Sequence, residues 1–116
     1  MLFIIYKTTN IINGKWYIGF HSTNNVNDEY LGSGKLLLKA IKKYGRHNFH
    51  KEILYTFKSK KEALKKETEL VNEESVKNLN SYNLKIGGEG GWDFINNISK
   101  KDLHYQKAKS KNNQIV

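Results

Sequence analysis

Two runs of β-branched and aromatic residues, Leu2 to Thr8 and Lys15 to His21, stand on either side of Asn13-Gly14. Such side chains suit a pleated, half-buried surface, and Asn-Gly readily adopts the positive φ of a tight turn, so the chain opens with a β-hairpin. If Asn13-Gly14 is the two-residue loop, Tyr6 lies opposite His21. The two-residue period of a strand then places Tyr17, Gly19 and His21 on the face that carries Tyr6. One side of the ribbon gathers two phenols and an imidazole.

Past a polar, glycine-containing stretch over residues 22–34, Leu37, Ala40, Ile41 and Tyr44 recur at helical spacing and Gly45 supplies a stop. Lys35, Lys39 and Lys42 occupy the opposite side of that helix. Phe49 to Phe57 alternates around Ile53 and Tyr55 and reads as a third strand. Ser59-Lys60-Lys61-Glu62 has the spacing of a capping box, which starts a second helix running to about Ser75. Leu64, Leu70 and Val71 form its inward stripe, and Glu67 falls on the same stripe. Ser81 to Ile86 reads as a short extended segment before the glycine cluster Gly87 to Gly91. From Asn96 the chain is polar and lysine-rich without an apolar period. The expected organisation is an α/β (α+β) domain over residues 1–95, with a small three-stranded, mostly antiparallel sheet flanked by helices, and a basic polar tail over 96–116.

The chain has 116 residues, enough for one modest core, and 20 Lys+Arg against 11 Asp+Glu give a net charge of +9. That balance favours polyanionic partners, nucleic acid first among them. The absence of cysteine rules out a disulfide framework, zinc ribbons and thiol nucleophiles. No apolar run approaches a membrane span and the short apolar start lacks a basic leader, so a soluble, cytoplasmic protein with no membrane partner is expected. Gly32-Ser33-Gly34-Lys35 lacks the first glycine and the preceding strand of a phosphate-binding P-loop, so no organic cofactor is expected.

Glu67 is the sharpest chemical signal, because a charge on a buried stripe costs several kcal/mol unless it is paired, protonated or bound to a cation, by roughly the desolvation cost of an ion. Glu69 points to nearly the opposite side of the helix. A lone carboxylate suits Mg²⁺ (or Mn²⁺), which keeps several waters and accepts substrate phosphate. His47 and His50 make a weak metal pair without cysteine beside them. Taken singly, Tyr6 and Tyr17 read as packed aromatics, the helix lysines as solvated cations and Asn83 as a turn residue.

Taken together, the order of motifs resembles the GIY-YIG nucleases. Ile4-Ile5-Tyr6 and Tyr17-Ile18-Gly19 are followed by Tyr30-Leu31-Gly32-Ser33-Gly34-Lys35, Ala40-Ile41-Lys42-Lys43-Tyr44-Gly45, Glu67-Thr68-Glu69-Leu70-Val71 and Ser81-Tyr82-Asn83-Leu84. The likeness covers about residues 1–94 and is greatest to the phage and viral branch of homing endonucleases. It implies metal-dependent hydrolysis of DNA phosphodiesters. It further implies that Tyr6 orients or deprotonates the attacking water with help from His21, that Tyr17 touches water or phosphate, that Glu67 holds the metal and that Asn83 braces the pocket. A cation on the first helix, usually arginine, steadies the phosphate in that family. Here Lys39 is the preferred stand-in, with Lys35 and Lys43 as alternatives, and Lys35, Lys42, Lys43 and Arg46 are candidate DNA contacts. Ile4 replaces the first glycine of the motif. Two other readings use the same residues: a catalytically silent nucleic-acid-binding module, and a structure-specific repair or restriction nuclease.

Overall fold

The computed structural model describes residues 1–87. The boundary expected at residue 95 and the tail expected over 96–116 lie outside the described residues. Three antiparallel strands, β1 (Leu2–Asn10), β2 (Trp16–Thr23) and β3 (Phe49–Phe57), form one sheet in the order β2-β1-β3. Helix α1 (Lys35–Tyr44) and a 3-10 turn (Arg46–Asn48) connect β2 to β3, and α2 (Lys60–Leu70) and α3 (Glu73–Lys77) follow. The fold is α+β, as the sequence pattern implies. No helix among the described residues is long and apolar enough to cross a membrane.

β1 occupies the middle because it is the strand that can be covered on both sides. Ile4, Ile5 and Tyr6 are consecutive and fully buried, which a two-residue period allows only when both faces are packed. Tyr6, Thr8 and Asn10 share a face with Tyr17, Gly19 and His21, and α1 packs on that side through Leu36, Leu37, Ala40 and Tyr17. The other face carries Ile18 and Tyr55. There Val71 and Val76 pack on Ile18, and Lys66 of α2 lies 4.9 Å from the Tyr55 ring. Leu84 joins both clusters. The two layers therefore meet along the outer edge of β2.

The hairpin register differs from the expected one. Tyr6 pairs with Gly19 and His21 with Ile4, a displacement of two residues, because the turn holds four residues rather than two. Asn10 accepts from the Ile12 N–H and Asn13 from the Lys15 N–H, each at 2.9 Å, so two side chains build the turn that backbone geometry alone did not predict. An even displacement keeps every side chain on its face. The ribbon still presents Tyr6, Tyr17 and His21 together.

The second helix is also shorter than expected. It stops at Leu70, and Asn72 caps a new helix by accepting from the Ser75 N–H at 3.0 Å. Asparagine is among the strongest N-cap residues, and here it outweighs the continuing apolar stripe. The carbonyls freed at the break are taken up by the Ser75 hydroxyl, which donates to Leu70 at 2.6 Å, and by the Gly87 N–H, which donates to Val71 at 2.8 Å. Ser59 caps α2 as expected, accepting from the Glu62 N–H.

Candidate active site

An edge strand leaves a row of backbone groups unpaired, and β2 resolves this with a segment from the far end of the described chain. Trp16 forms a parallel bridge with Ser81, its N–H donating to Asn80 and its carbonyl accepting from Tyr82. Two residues on, the Asn83 side chain takes over. Its amide oxygen accepts from the Ile18 N–H at 3.0 Å and its amide nitrogen donates to the Ile18 carbonyl at 2.8 Å. One asparagine thus imitates a strand residue. The same segment is fastened to α2 where Gly87 meets Val71 and where the Thr68 hydroxyl donates to the Gly87 carbonyl at 3.0 Å.

Between this segment, α1 and α2 lies a cavity of about 450 Å³. Tyr17, Ser33, Lys35, Glu67, Tyr82 and Asn83 line it. Glu67 is half-buried, whereas Glu69 is exposed and pairs with Lys66 at 2.9 Å, so the two carboxylates divide as helical geometry requires. Lys35 opens α1 on the cavity wall, and no side chain caps that helix end. The partial positive charge of a helix N-terminus and an ammonium therefore coincide there.

The sequence reasoning preferred Lys39 for the cationic role. Lys39 is exposed, one turn along the helix from Lys35, and is not among the lining residues. Lys42 and Lys43 lie farther along, with Lys43 5.3 Å above the Tyr44 ring, and the Arg46 guanidinium donates to the Glu29 carbonyl. Tyr6 is buried behind the cavity wall, its ring 6.2 Å from that of Tyr17. Gly19 makes that approach feasible, since a Cβ there would sit 2.5 Å from the Tyr6 hydroxyl and 2.8 Å from the Tyr17 ring. Gly34 does the same from the loop, where a Cβ would meet Tyr17 at 2.6 Å.

Tyr30 is the residue the sequence reasoning missed. It packs edge-on against Tyr6 at 5.9 Å and stacks on His21 at 4.0 Å. His21 itself turns to Asp28, with Nε2 2.8 Å from the carboxylate. Thr23 donates to that same carboxylate, and Lys51 reaches it at 3.0 Å. The hydrogen bonds from His21 and Thr23 hold the Asp28 carboxyl well below the usual carboxylate range. This cluster fastens residues 23–30 to the sheet, so His21 positions the loop that bears Tyr30 and does not line the cavity. The sequence signal was present in the aromatic within Tyr30-Leu31-Gly32, but nothing local indicates which ring a loop tyrosine will meet.

Burial, with the Tyr30 phenol and the Glu67 carboxylate nearby, pushes the Tyr17 phenol up to about 12, against a hydrogen bond from Ser33. Burial raises Tyr6 further, and Tyr82 is raised too. These phenols hold their protons more tightly in the fold than at the ordinary value of about 10, so the stability they confer is complete below pH 10 and is lost as pH rises past it. In an alkaline titration followed by tyrosinate absorbance, three of the seven tyrosines should ionise late, together with loss of helical circular dichroism. Ionisation of all seven in one early step with the fold intact would contradict this packing.

Among the described residues no three His, Asp or Glu side chains stand close enough to hold a metal together. A cation at Glu67 would depend on one carboxylate, with water and substrate oxygens completing its shell. That donor set fits Mg²⁺ or Mn²⁺ and does not fit a structural zinc ion.

The chain is similar to phage T4 endonucleases. It is 51% identical over 114 residues to the protein named "Putative endonuclease segB" of Enterobacteria phage T4, an alignment covering 95% of this chain and 52% of that one. "Putative endonuclease segD" of the same phage is 58% identical over 90 residues, covering 78% of this chain and 40% of the relative. "Endonuclease segA" is 52% identical over 86 residues, 74% of this chain and 39% of its own length. The chain spans about half the length, or less, of these relatives. No protein-family profile matches the chain. No solved structure matches it either.

Proposed function

We propose that this chain carries the catalytic domain of a divalent-metal-dependent DNA endonuclease of the GIY-YIG, homing-endonuclease-like type. The observation that supports this most is the convergence of Glu67, Tyr17, Lys35 and Asn83 on one cavity at the edge of the opening hairpin. The similarity to proteins named as endonucleases points the same way.

In this reading a DNA phosphate sits at the start of α1, where backbone N–H groups and Lys35 neutralise it. Lys39, Lys42 and Lys43 along the same helix, with Arg46 after it, meet neighbouring phosphates. Tyr17 remains protonated at neutral pH and donates a hydrogen bond to a phosphate oxygen or to the attacking water. Tyr6 is a positioning residue here: buried and packed edge-on against Tyr30, it sets the Tyr17 ring and does not take the proton itself. His21 acts through Asp28 and Tyr30 on the same wall. Asn83 holds β2 against the segment that faces Glu67, which fixes the carboxylate across from Lys35. Mg²⁺ or Mn²⁺ held by Glu67 would supply Lewis-acid stabilisation of charge developing on the phosphate and the departing sugar oxygen.

Supercoiled plasmid incubated with the purified chain should be converted to open-circular or linear DNA in Mg²⁺ or Mn²⁺ and left intact in EDTA. Salt-sensitive plasmid retention with no cleavage in either metal would refute the hydrolase and leave a basic binding module. Faster cutting of branched than of plain duplexes would replace the homing reading with a structure-specific one.

A further inference from the structure

We propose that the tip of the opening hairpin, Ile11-Ile12, is an apolar wedge that enters a DNA base step about the length of α1 away from the scissile phosphate; this rests on the DNA-cleaving reading above. Ile11 and Ile12 are 62% and 59% exposed. Single exposed apolar side chains are ordinary on any protein surface, but two adjacent ones on a fixed turn are not.

The turn is fixed thoroughly. Asn10 and Lys15 close it at 2.8 Å, the Gly14 N–H donates to the Asn10 carbonyl, and the Asn10 and Asn13 side-chain oxygens hold the Ile12 and Lys15 N–H groups. From outside, the Ile11 N–H donates to the Asn48 carbonyl at 2.9 Å. The Asn10 and Asn13 amides both donate to the Tyr82 hydroxyl, at 3.2 and 3.4 Å. The backbone of both isoleucines is therefore fixed before any partner arrives, which lowers the ordering cost of an inserting wedge.

Its surroundings indicate the occupant. Asn48, which holds Ile11, donates in turn to the Tyr44 carbonyl at 2.6 Å, so the tip abuts the end of α1 where Lys42, Lys43 and Arg46 stand. Cations flanking an apolar point match a duplex, whose phosphates border a groove floored by stacked bases. Tyr82 ties the tip to the active site, since its hydroxyl accepts from the turn and the same residue is one of those lining the cavity. A base step opened at the tip would thus lie at the opposite end of the ten-residue α1 from the phosphate at Lys35, about 15 Å away. Pyrimidine–purine steps unstack most easily, so the wedge favours binding at them without reading base edges.

The test uses the full chain in EDTA and short duplexes carrying 2-aminopurine at TA or CA steps. Wild type should bind and raise the 2-aminopurine fluorescence severalfold. Ile11→Ser/Ile12→Ser should bind with its salt dependence unchanged yet give no rise, and Ile11→Leu/Ile12→Leu should restore it. Bound wild type without a fluorescence rise, or an equal rise in the serine pair, overturns the wedge and leaves the DNA reading standing. Absence of duplex binding by wild type at low salt overturns both. A wild-type dimer that the serine pair converts to monomer in sedimentation shows that the tip faces a second copy, and also overturns the proposal.

Discussion

Replacing Glu67 with glutamine should lower metal-dependent plasmid nicking by about a hundredfold or more, the several kcal/mol that a cation contributes to a phosphoryl transition state. Glutamine retains the shape and loses only the charge, so the melting temperature should change little. A second readout separates chemistry from packing. Glu67 is one of the causes that raise the Tyr17 and Tyr6 phenols, so removing its charge should bring Tyr17 ionisation down from about 12. Binding of plasmid in EDTA should persist or strengthen, because the net charge becomes more positive. Wild-type nicking by Glu67→Gln in Mg²⁺ would eliminate this carboxylate from the reaction.

Asn83→Ala should have the largest effect on stability. The buried Asn83 amide satisfies both the N–H and the carbonyl of Ile18, and its oxygen also accepts from the Ser81 hydroxyl at 3.3 Å. Alanine strands those groups at a partly covered edge, at a cost of about 2 kcal/mol or more. For a domain of this size that lowers the melting temperature by roughly 10 °C. Asn83→Asp keeps one acceptor but sets a carboxylate against the Ile18 carbonyl, so it should fare no better. Differential scanning calorimetry decides the matter. An unchanged transition in Asn83→Ala would mean that the segment is held to β2 by the Trp16 contacts alone.

The elements that depend on local chemistry were legible in the sequence: the hairpin, α1 ending at Gly45, β3, and the Ser59 cap all follow from residue type and period. The carboxylate at position 67 stood out because it broke an apolar stripe. What escaped notice depended on competition or on distance. Asn10 and Asn13 compete with Gly14 to shape the turn, and Asn72 competes with the helical stripe, so neither the register nor the break follows from periodicity. Lys35, Lys39 and Lys42 share one helix face, and only the position of the cavity at the start of α1 singles out Lys35. The meeting of Tyr30 with Tyr6, and of Asp28 with Lys51, joins residues 23 or more positions apart, which no window along the chain can reveal.

The parallel bridge between Trp16 and Ser81 has a consequence for biosynthesis. Closing a loop of that span is entropically slow, and the contacts that reward it come only once residues 80–87 have reached β2 and Val71. A nascent chain still short of that point has its hairpin but no wall opposite Glu67. The wall facing Glu67 is thus completed only when the ribosome has delivered residues 81–87.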